Sequence, residues 1–188
     1  NCEQTYYTTA SFRRDGSSRF GENNRYGNFW SVSGSWAMAS ESFLADQEWL
    51  NEMKLRVSYG ETGNAQIGNF ASRPIYDFGQ PYNGQTGSRP TNLGNPNLTW
   101  EVAKKTNIGL DLNAFDRIDL TIDLYRRINE DLLQNVPQPA LTGFSSQIQN
   151  IGKVRNRGLE VSLSTVNLQN ELRWTTDFNI GFNDNEVL

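Results

Sequence analysis

The acidic residues that alternate along one segment are the first candidates for chemistry. Asp119 and Asp123 lie four residues apart in a segment with a period of two, so both side chains would point to the same side of a strand. At about 3.3 Å per residue they would be roughly 13 Å apart, whereas a glycosidase needs two carboxyl groups about 5–10 Å apart. We therefore interpret them as charges on the polar side of a strand.

Other catalytic and metal-binding arrangements lack their residues in this sequence. The chain has no histidine, the most common general base and metal ligand. Its one cysteine, Cys2, can form neither an internal disulfide nor a thiolate metal cluster. The segment Gly60–Gly63 is not a phosphate loop, because no Lys-Ser/Thr pair follows it and no helix is predicted after it. We expect no catalytic residue, no cofactor and no metal, and hence no enzyme.

A connection rich in glycine, asparagine and proline, roughly 60–98, contains the candidate binding residues. Its aromatic and acidic side chains could stack on sugar rings or hold a peptide; they are Tyr76, Asp77, Phe78 and Tyr82. The alternative is that these side chains only pack loop against loop, since exposed aromatics are common on protein surfaces. The pattern alone leaves both possibilities open.

The composition excludes several classes of protein. The 188 residues carry a net charge of −4, which provides no basic surface for nucleic acid. The aromatic content of 12 % is too high for a typical disordered chain. No stretch approaches the roughly 20 apolar residues of a transmembrane helix, and the polar start does not resemble a signal peptide.

Seven segments with alternating apolar and polar residues predict β-strands, near residues 6–13, 30–38, 55–59, 107–112, 118–125, 159–164 and 172–182. The apolar positions predicted to share one side of a sheet include Leu55, Val57, Ile108, Leu110, Ile118, Leu120, Ile122, Leu124, Leu159, Val161, Leu163, Trp174, Phe178 and Ile180. The charged positions predicted to share the other side are Lys54, Arg56, Asp111, Asp119, Asp123, Arg127, Arg157, Glu160, Arg173 and Asp177.

Long and short connections alternate along the chain. The long ones are roughly 15–27, 60–98 and 131–152, and the short ones lie near 39–52, 113–117 and 167–170. Long connections would then lie at one end of the strands, as they do in outer-membrane barrels and in some sandwiches. The pattern leaves two architectures open: a membrane barrel whose apolar side meets lipid, and a soluble all-β domain whose apolar side is a core.

Five ordered blocks carry a family resemblance. They are residues 11–21 (SFRRDGSSRFG), 55–64 (LRVSYGETGN), 94–101 (GNPNLTWE), 142–146 (TGFSS) and 150–160 (NIGKVRNRGLE). In this order and spacing they resemble the barrel of the SusC/RagA family of TonB-linked (TonB-dependent) outer-membrane proteins of Bacteroidetes. The resemblance covers nearly the whole chain.

The resemblance implies a fold and a function. The fold is all-β, an antiparallel meander of about seven strands forming part of a roughly 22-stranded transmembrane β-barrel. Residues 1–188 would be a partial barrel domain that lacks the plug, and the apolar positions would face outer-membrane lipid. The function would be import of glycans or peptides, with a SusD-like surface lipoprotein as lid and TonB bound through an N-terminal part absent from this chain.

The same blocks yield local expectations. Asp15-Gly16 and residues 60–64 have turn composition, and the basic stretch 153–157 between Gly152 and Gly158 predicts a bulge or bend. A helical turn is expected near Ser40–Ala45. Two other functions stay open: a soluble all-β carbohydrate-binding module that uses the loop aromatics, and a purely structural outer-membrane barrel.

Overall fold

A computed structural model describes residues 5–188 of the chain, apart from the side chains of Gln80 and Tyr82. Cys2 and the Tyr82 side chain therefore lie outside the described residues. In chain order the strands are β1 (Tyr6–Gly16), β2 (Tyr26–Ala37), β3 (Leu50–Asn64), β4 (Ile75–Tyr82), β5 (Gln85–Asn92), β6 (Glu101–Ala114), β7 (Ile118–Glu130), β8 (Leu133–Pro137), β9 (Ser146–Asn150), β10 (Lys153–Gln169) and β11 (Arg173–Val187). Three short 3-10 helices span Glu22–Asn24, Met38–Ser40 and Ala140–Thr142.

The long strands form a single antiparallel sheet of seven strands in the order β1-β2-β3-β6-β7-β10-β11. Hairpin β4–β5 is inserted between β3 and β6, and hairpin β8–β9 between β7 and β10. The sheet strands have 11 to 17 residues, well above the usual 5–6 or so of globular proteins. The predicted seven-stranded antiparallel meander is confirmed.

The register aligns the apolar alternation of neighbouring strands. Ile122 on β7 lies opposite Leu110 on β6 and Val161 on β10. Leu110 in turn lies opposite Leu55, and Val161 opposite Ile180. Because side chains alternate between the two sides of a strand, this register puts every apolar set on the same side of the sheet.

Two expectations about local structure were wrong. Residues 60–64 form no turn, because β3 continues through them and pairs with β6 as far as Asn64 opposite Glu101. The stretch 153–157 contains no bulge, because it pairs with β7 and β11 without a shift in register. Backbone hydrogen bonds to the neighbouring strands hold these polar segments extended without an apolar pattern.

The irregularity in β10 lies further along, between Val166 and Leu168. One extra residue there switches the side to which the following side chains point. The shift places Leu168 opposite Trp174 of β11, on the side of the sheet that carries Trp174.

The short connections follow the sequence more closely. β6 and β7 are joined by a tight turn in which Phe115 and Asp116 have φ of 57° and 53°, a left-handed backbone that suits the twist of a hairpin. After β2, the 3-10 helix Met38–Ser40 is followed by hydrogen bonds from the Leu44 and Ala45 amides to the Glu41 carbonyl, which confirms the helical turn expected there.

The buried apolar residues lie at the ends of the sheet and in the long connections, rather than in the middle of the sheet. Within the described part they are Phe20, Phe29, Leu50, Ala71, Leu98, Trp100 and Ala114. Among the described residues no helix is long and apolar enough to cross a membrane. The sheet thus has a packed cluster at one end and two uncovered sides.

Candidate functional site

One side of the seven-stranded sheet is apolar across β3, β6, β7, β10 and β11; we call it the apolar side. It carries the full predicted set, Leu55, Val57, Ile108, Leu110, Ile118, Leu120, Ile122, Leu124, Leu159, Val161, Leu163, Trp174, Phe178 and Ile180. No layer covers it in the described part: Leu124 is 52 % and Phe178 51 % exposed. A large exposed apolar surface marks contact with another apolar partner, and that this partner is lipid stays a prediction.

Aromatic pairs lie at both ends of the sheet. At the end with the long connections, the rings of Trp30 and Tyr59 are 5.0 Å apart. At the end with the short connections, the rings of Trp49 and Phe115 stack 5.5 Å apart. Membrane barrels carry aromatic girdles at both edges of their apolar band, and this distribution is typical of them.

The opposite, polar side is held together by a charged network centred on Arg56. Its guanidinium binds Asp111 at 2.6 and 2.9 Å and reaches Asp123 at 3.4 Å. Asn107 donates to the other oxygen of Asp123 at 3.1 Å. Gly109 leaves room for the arginine, since a Cβ there would lie 2.7 Å from the Arg56 guanidinium carbon. The network links β3, β6 and β7, so Asp123 is a structural ion-pair partner.

The remaining charges predicted for the polar side lie there with one exception. The register places Lys54, Asp119, Arg127, Glu160, Arg173 and Asp177 on that side. Arg157 was predicted there wrongly: it has the same parity as Leu159 on β10 and lies opposite Arg126 of β7. It therefore lies on the apolar side, beyond the last apolar residues.

Hydrogen bonds to Glu41 connect two strands at the end with the short connections. Glu41 accepts hydrogen bonds from the Tyr6 hydroxyl at 2.6 Å and the Trp36 indole at 2.9 Å. The hydrogen bond from Tyr6, followed by the one from Trp36, lowers the pKa of Glu41. The two rings also stack, with centroids 6.1 Å apart, so the turn after β2 is tied to the edge strand β1.

The opposite end contains the packed cluster, which we call the loop hub: Phe20, Phe29, Ala71, Leu98 and Trp100. The Trp100 ring lies 5.1 Å from that of Phe20 and 5.4 Å from that of Phe29. Leu133 and Ile148, from the β8–β9 hairpin, pack against the cluster. All three long connections therefore meet in one core.

Polar side chains join the same connections around the hub. The Asn150 amide accepts from the Thr99 backbone N–H at 2.9 Å and donates to the Thr99 carbonyl at 2.8 Å. It also donates to the Asp131 carbonyl at 3.0 Å. Asn95 donates to the Ile148 carbonyl at 3.0 Å. The conformations of the long connections are thus fixed by one another.

Comparison with known proteins decides the family. The family model described as TonB dependent receptor-like, beta-barrel matches residues 5–187. The chain belongs to this TonB-dependent receptor β-barrel family. It is similar to TonB-dependent receptor P39 of Formosa agariphila, with 47 % identity over 185 residues, covering 97 % of this chain and 18 % of that relative. It is also 38 % identical over 195 residues to TonB-dependent receptor SusC of Bacteroides thetaiotaomicron, covering 97 % of this chain and 19 % of SusC.

Solved structures agree with the family. The RagAB peptide importer in its closed-closed state is similar with a TM-score of 0.90 and 35 % identity, over 98 % of this chain and 20 % of that chain. Its open-open state gives a TM-score of 0.88 and the same identity. This TonB-dependent receptor segment spans about a fifth of the length of these relatives. The predicted SusC/RagA resemblance is confirmed.

In this receptor segment the candidate binding residues lie on hairpin β4–β5. Tyr76 lies opposite Pro90 and is 52 % exposed, and Phe78 is 69 % exposed. The Asp77 carboxylate accepts from the Gly79 amide at 3.1 Å. Tyr82 ends β4 opposite Gln85 at the hairpin tip, and its side chain lies outside the described residues. The hairpin therefore presents at least two aromatic rings to the surroundings.

The strand pattern did not predict the hairpins or the loop hub of the receptor segment. The only sequence signal for the hub is the block 94–101, which contains Leu98 and Trp100. On the second hairpin, Leu141 is 99 % exposed and lies two residues before Gly143, which has a φ of 76°. Among the described residues no group of three or more potential metal ligands is present.

Proposed function

We propose that the chain forms part of the wall and the outer loops of a TonB-dependent receptor that imports oligosaccharides or peptides across the bacterial outer membrane. The observation that carries this proposal is the register of the sheet, which is apolar on one side and charged on the other. In this proposal residues 1–188 are a partial barrel domain, and the plug and the remaining strands belong to other parts of the parent receptor.

The apolar side would contact outer-membrane lipid. A transmembrane β-strand needs about 9–11 residues, and the sheet strands, with 11 to 17 residues, reach that length. A soluble sandwich would bury this side under a second layer, and among the described residues no such layer exists. The uncovered side thus argues against a soluble carbohydrate-binding module.

The polar side would line the lumen of the barrel. Its carboxylates and cations neutralise each other across strands, as the Arg56 contacts with Asp111 and Asp123 illustrate. An arrangement of this kind stabilises a wall next to water or a plug and leaves no carboxyl group free for acid–base chemistry at that point. We assign it no catalytic role.

The end with the loop hub would face the outside of the cell. The hub fixes the bases of hairpins β4–β5 and β8–β9, whose exposed side chains include Tyr76, Phe78 and Leu141. Rigidly based, exposed aromatics suit stacking on a sugar ring or packing on a peptide. We propose that this end contacts the substrate and a SusD-like surface lipoprotein, while TonB binds an N-terminal part of the parent receptor.

Uptake by cells tests the import function. A strain that lacks the gene for the full-length receptor should lose uptake of labelled oligosaccharides or of labelled peptides, and plasmid-borne receptor should restore it. Removal of TonB should abolish the same uptake, because import through such a receptor requires it. Unchanged uptake of both substrate classes in the deletion strain would contradict the proposal.

The role of the hairpin has its own test in the full-length receptor. Tyr76→Ala combined with Tyr82→Ala should weaken substrate or lipoprotein binding by about tenfold, since each aromatic contact contributes about 0.5–1.5 kcal/mol. Isothermal titration calorimetry measures both. Phe43→Ala, which removes a 61 % exposed aromatic from the opposite end of the sheet, is the control. If both affinities are unchanged in the double variant, the hairpin does not bind either ligand.

A further inference from the structure

A zone of charged residues borders the apolar side toward the long connections; we call it the charged border. On β6, β7, β10 and β11 most of the positions that continue the apolar alternation carry charged side chains here, the exceptions being Val102, Thr106 and Ile128. Its five cations and three carboxylates are Lys104, Arg126, Lys153, Arg155, Arg157, Glu130, Asp184 and Glu186. The border therefore has an excess of positive charge directly next to apolar surface.

Most of the charged border is held in ion pairs between neighbouring strands. The Glu130 carboxylate lies 2.5 Å from the ammonium groups of both Lys104 and Lys153. Arg155 contacts Glu186 on the neighbouring strand. Arg155 and Glu186 neutralise each other, whereas the single carboxylate of Glu130 is shared by two ammonium groups, so these five residues keep one net positive charge.

Arg126 and Arg157, the arginine pair, are different. They lie directly opposite each other on β7 and β10, where two like charges repel. The Arg157 guanidinium donates to Asp184 at 2.7 Å, but Arg126 has no ion pair with any carboxylate in the part of the chain that the structure describes. An anion between the two guanidinium groups would turn this repulsion into two charge-assisted hydrogen bonds.

A groove connects the arginine pair with the apolar side. It has a volume of about 580 Å³, and its apolar floor is formed by Ile108, Leu124, Leu159 and Phe182. Leu124 and Leu159 are an opposed pair two positions before and after the arginines on the same two strands. Leu124 is 52 % and Phe182 59 % exposed, so the floor is open to a ligand that is apolar at one end.

We propose that this groove binds a single membrane lipid with a phosphate head group, the phosphate lying on the arginine pair and the acyl chains on the apolar floor. The inference rests on the proposed function, because only a receptor embedded in a membrane presents this groove to lipid. A free anion would bind the arginines but would bury no apolar surface on the floor of the groove. The charged and apolar surfaces are continuous, so the ligand that contacts both is an amphiphile.

Native mass spectrometry of the full-length receptor in detergent, with diphosphorylated lipid A as the probe, tests the proposal. The wild type should bind one equivalent. Arg126→Gln with Arg157→Gln should weaken binding about tenfold or more, because two charge-assisted hydrogen bonds are lost. Arg117→Gln with Arg173→Gln, which removes two exposed arginines from the opposite end of the sheet, should leave binding unchanged. Equal binding by the wild type and the arginine-pair variant would overturn the proposal.

Two further measurements distinguish a lipid phosphate from free phosphate, and a failure of this inference from a failure of the proposed function. Lipid A without phosphate should bind weakly, and equally to all variants. Displacement of lipid A by inorganic phosphate would overturn the lipid assignment in favour of a site for free anions. Flotation of the same preparations with phosphatidylethanolamine vesicles reports membrane insertion independently. A receptor that floats but binds lipid A equally in both forms contradicts this inference alone, whereas one that does not float contradicts the proposed function.

Discussion

At the scale of single residues, the Asn150 side chain makes the backbone hydrogen bonds that a neighbouring β-strand would otherwise make. Its amide group binds both backbone groups of Thr99 and the carbonyl of Asp131. Asn150→Ala would leave three backbone groups without these partners, and each such group costs about 1–3 kcal/mol when it is shielded from water. We expect the Thr99 amide to exchange its hydrogen faster in the full-length receptor, measured by hydrogen–deuterium exchange with mass spectrometry.

The matched control is Asn135→Ala, which removes an exposed asparagine of β8 whose side chain makes no hydrogen bond among the described residues. Exchange at Thr99 should be unchanged in this variant. If Asn150→Ala also leaves Thr99 as protected as in the wild type, the hydrogen bonds of Asn150 do not hold the long connections together.

The sequence predicts which residues share a side of the sheet, but not which of them meet. Alternation places Arg56, Asp111 and Asp123 on one side. Their contact depends on the register between strands, because Arg56 is 55 residues from Asp111 and 67 residues from Asp123 in the chain. The prediction for Arg157 was wrong because Arg157 lies two positions before Leu159 on the same strand, and side chains two positions apart point to the same side. For Asn150, nothing in the local sequence distinguishes it from other loop asparagines.

At the scale of elements, Gly158 shows how closely β7, β10 and β11 approach one another. A Cβ at this position would clash with the Phe182 carbonyl oxygen and lie 2.6 Å from the Tyr125 hydroxyl. That hydroxyl donates to Asn183 at 3.0 Å across the glycine. Gly158→Ala should therefore lower the free energy of unfolding of the full-length receptor by about 1–3 kcal/mol, measured by urea titration in detergent.

Gly181→Ala provides the control from the neighbouring strand. A Cβ there meets only the Glu160 side chain at 3.9 Å, which is ordinary contact, so its unfolding midpoint should match that of the wild type. Equal midpoints for the two alanine variants would show that the close approach at Gly158 relaxes without cost.

The elements also mark where sequence patterns lose information. Alternation of apolar and polar residues identifies the parts of β3, β6, β7, β10 and β11 that carry the apolar side. It does not identify their polar extensions, such as residues 60–64 of β3, because a strand that is polar on both sides has no periodic signal. Alternation does not identify hairpin β4–β5 either, because its strands contain glycine and proline and pair with two irregularities in register.

At the scale of the whole molecule, the described residues cover neither side of the middle of the sheet. Its buried residues lie at its ends and in the long connections, and β1 and β11 form its two edges. Backbone groups at a sheet edge need a partner strand within a membrane, and a closed barrel supplies one to each edge. The proposed membrane location therefore predicts that the sheet is stable only within the complete receptor.

The central claim is that the apolar side faces lipid, and paired arginine substitutions on β7 test it most directly. Leu120 lies between Leu112 and Leu163 on the apolar side, whereas the next residue, Thr121, lies on the polar side within 3.4 Å of Asp111. In refolding titrations of the full-length receptor into bilayers, Leu120→Arg should cost about 2–4 kcal/mol near the midplane. Thr121→Arg should cost far less, because water and carboxylates surround the new charge. Equal costs at the two positions would contradict the account.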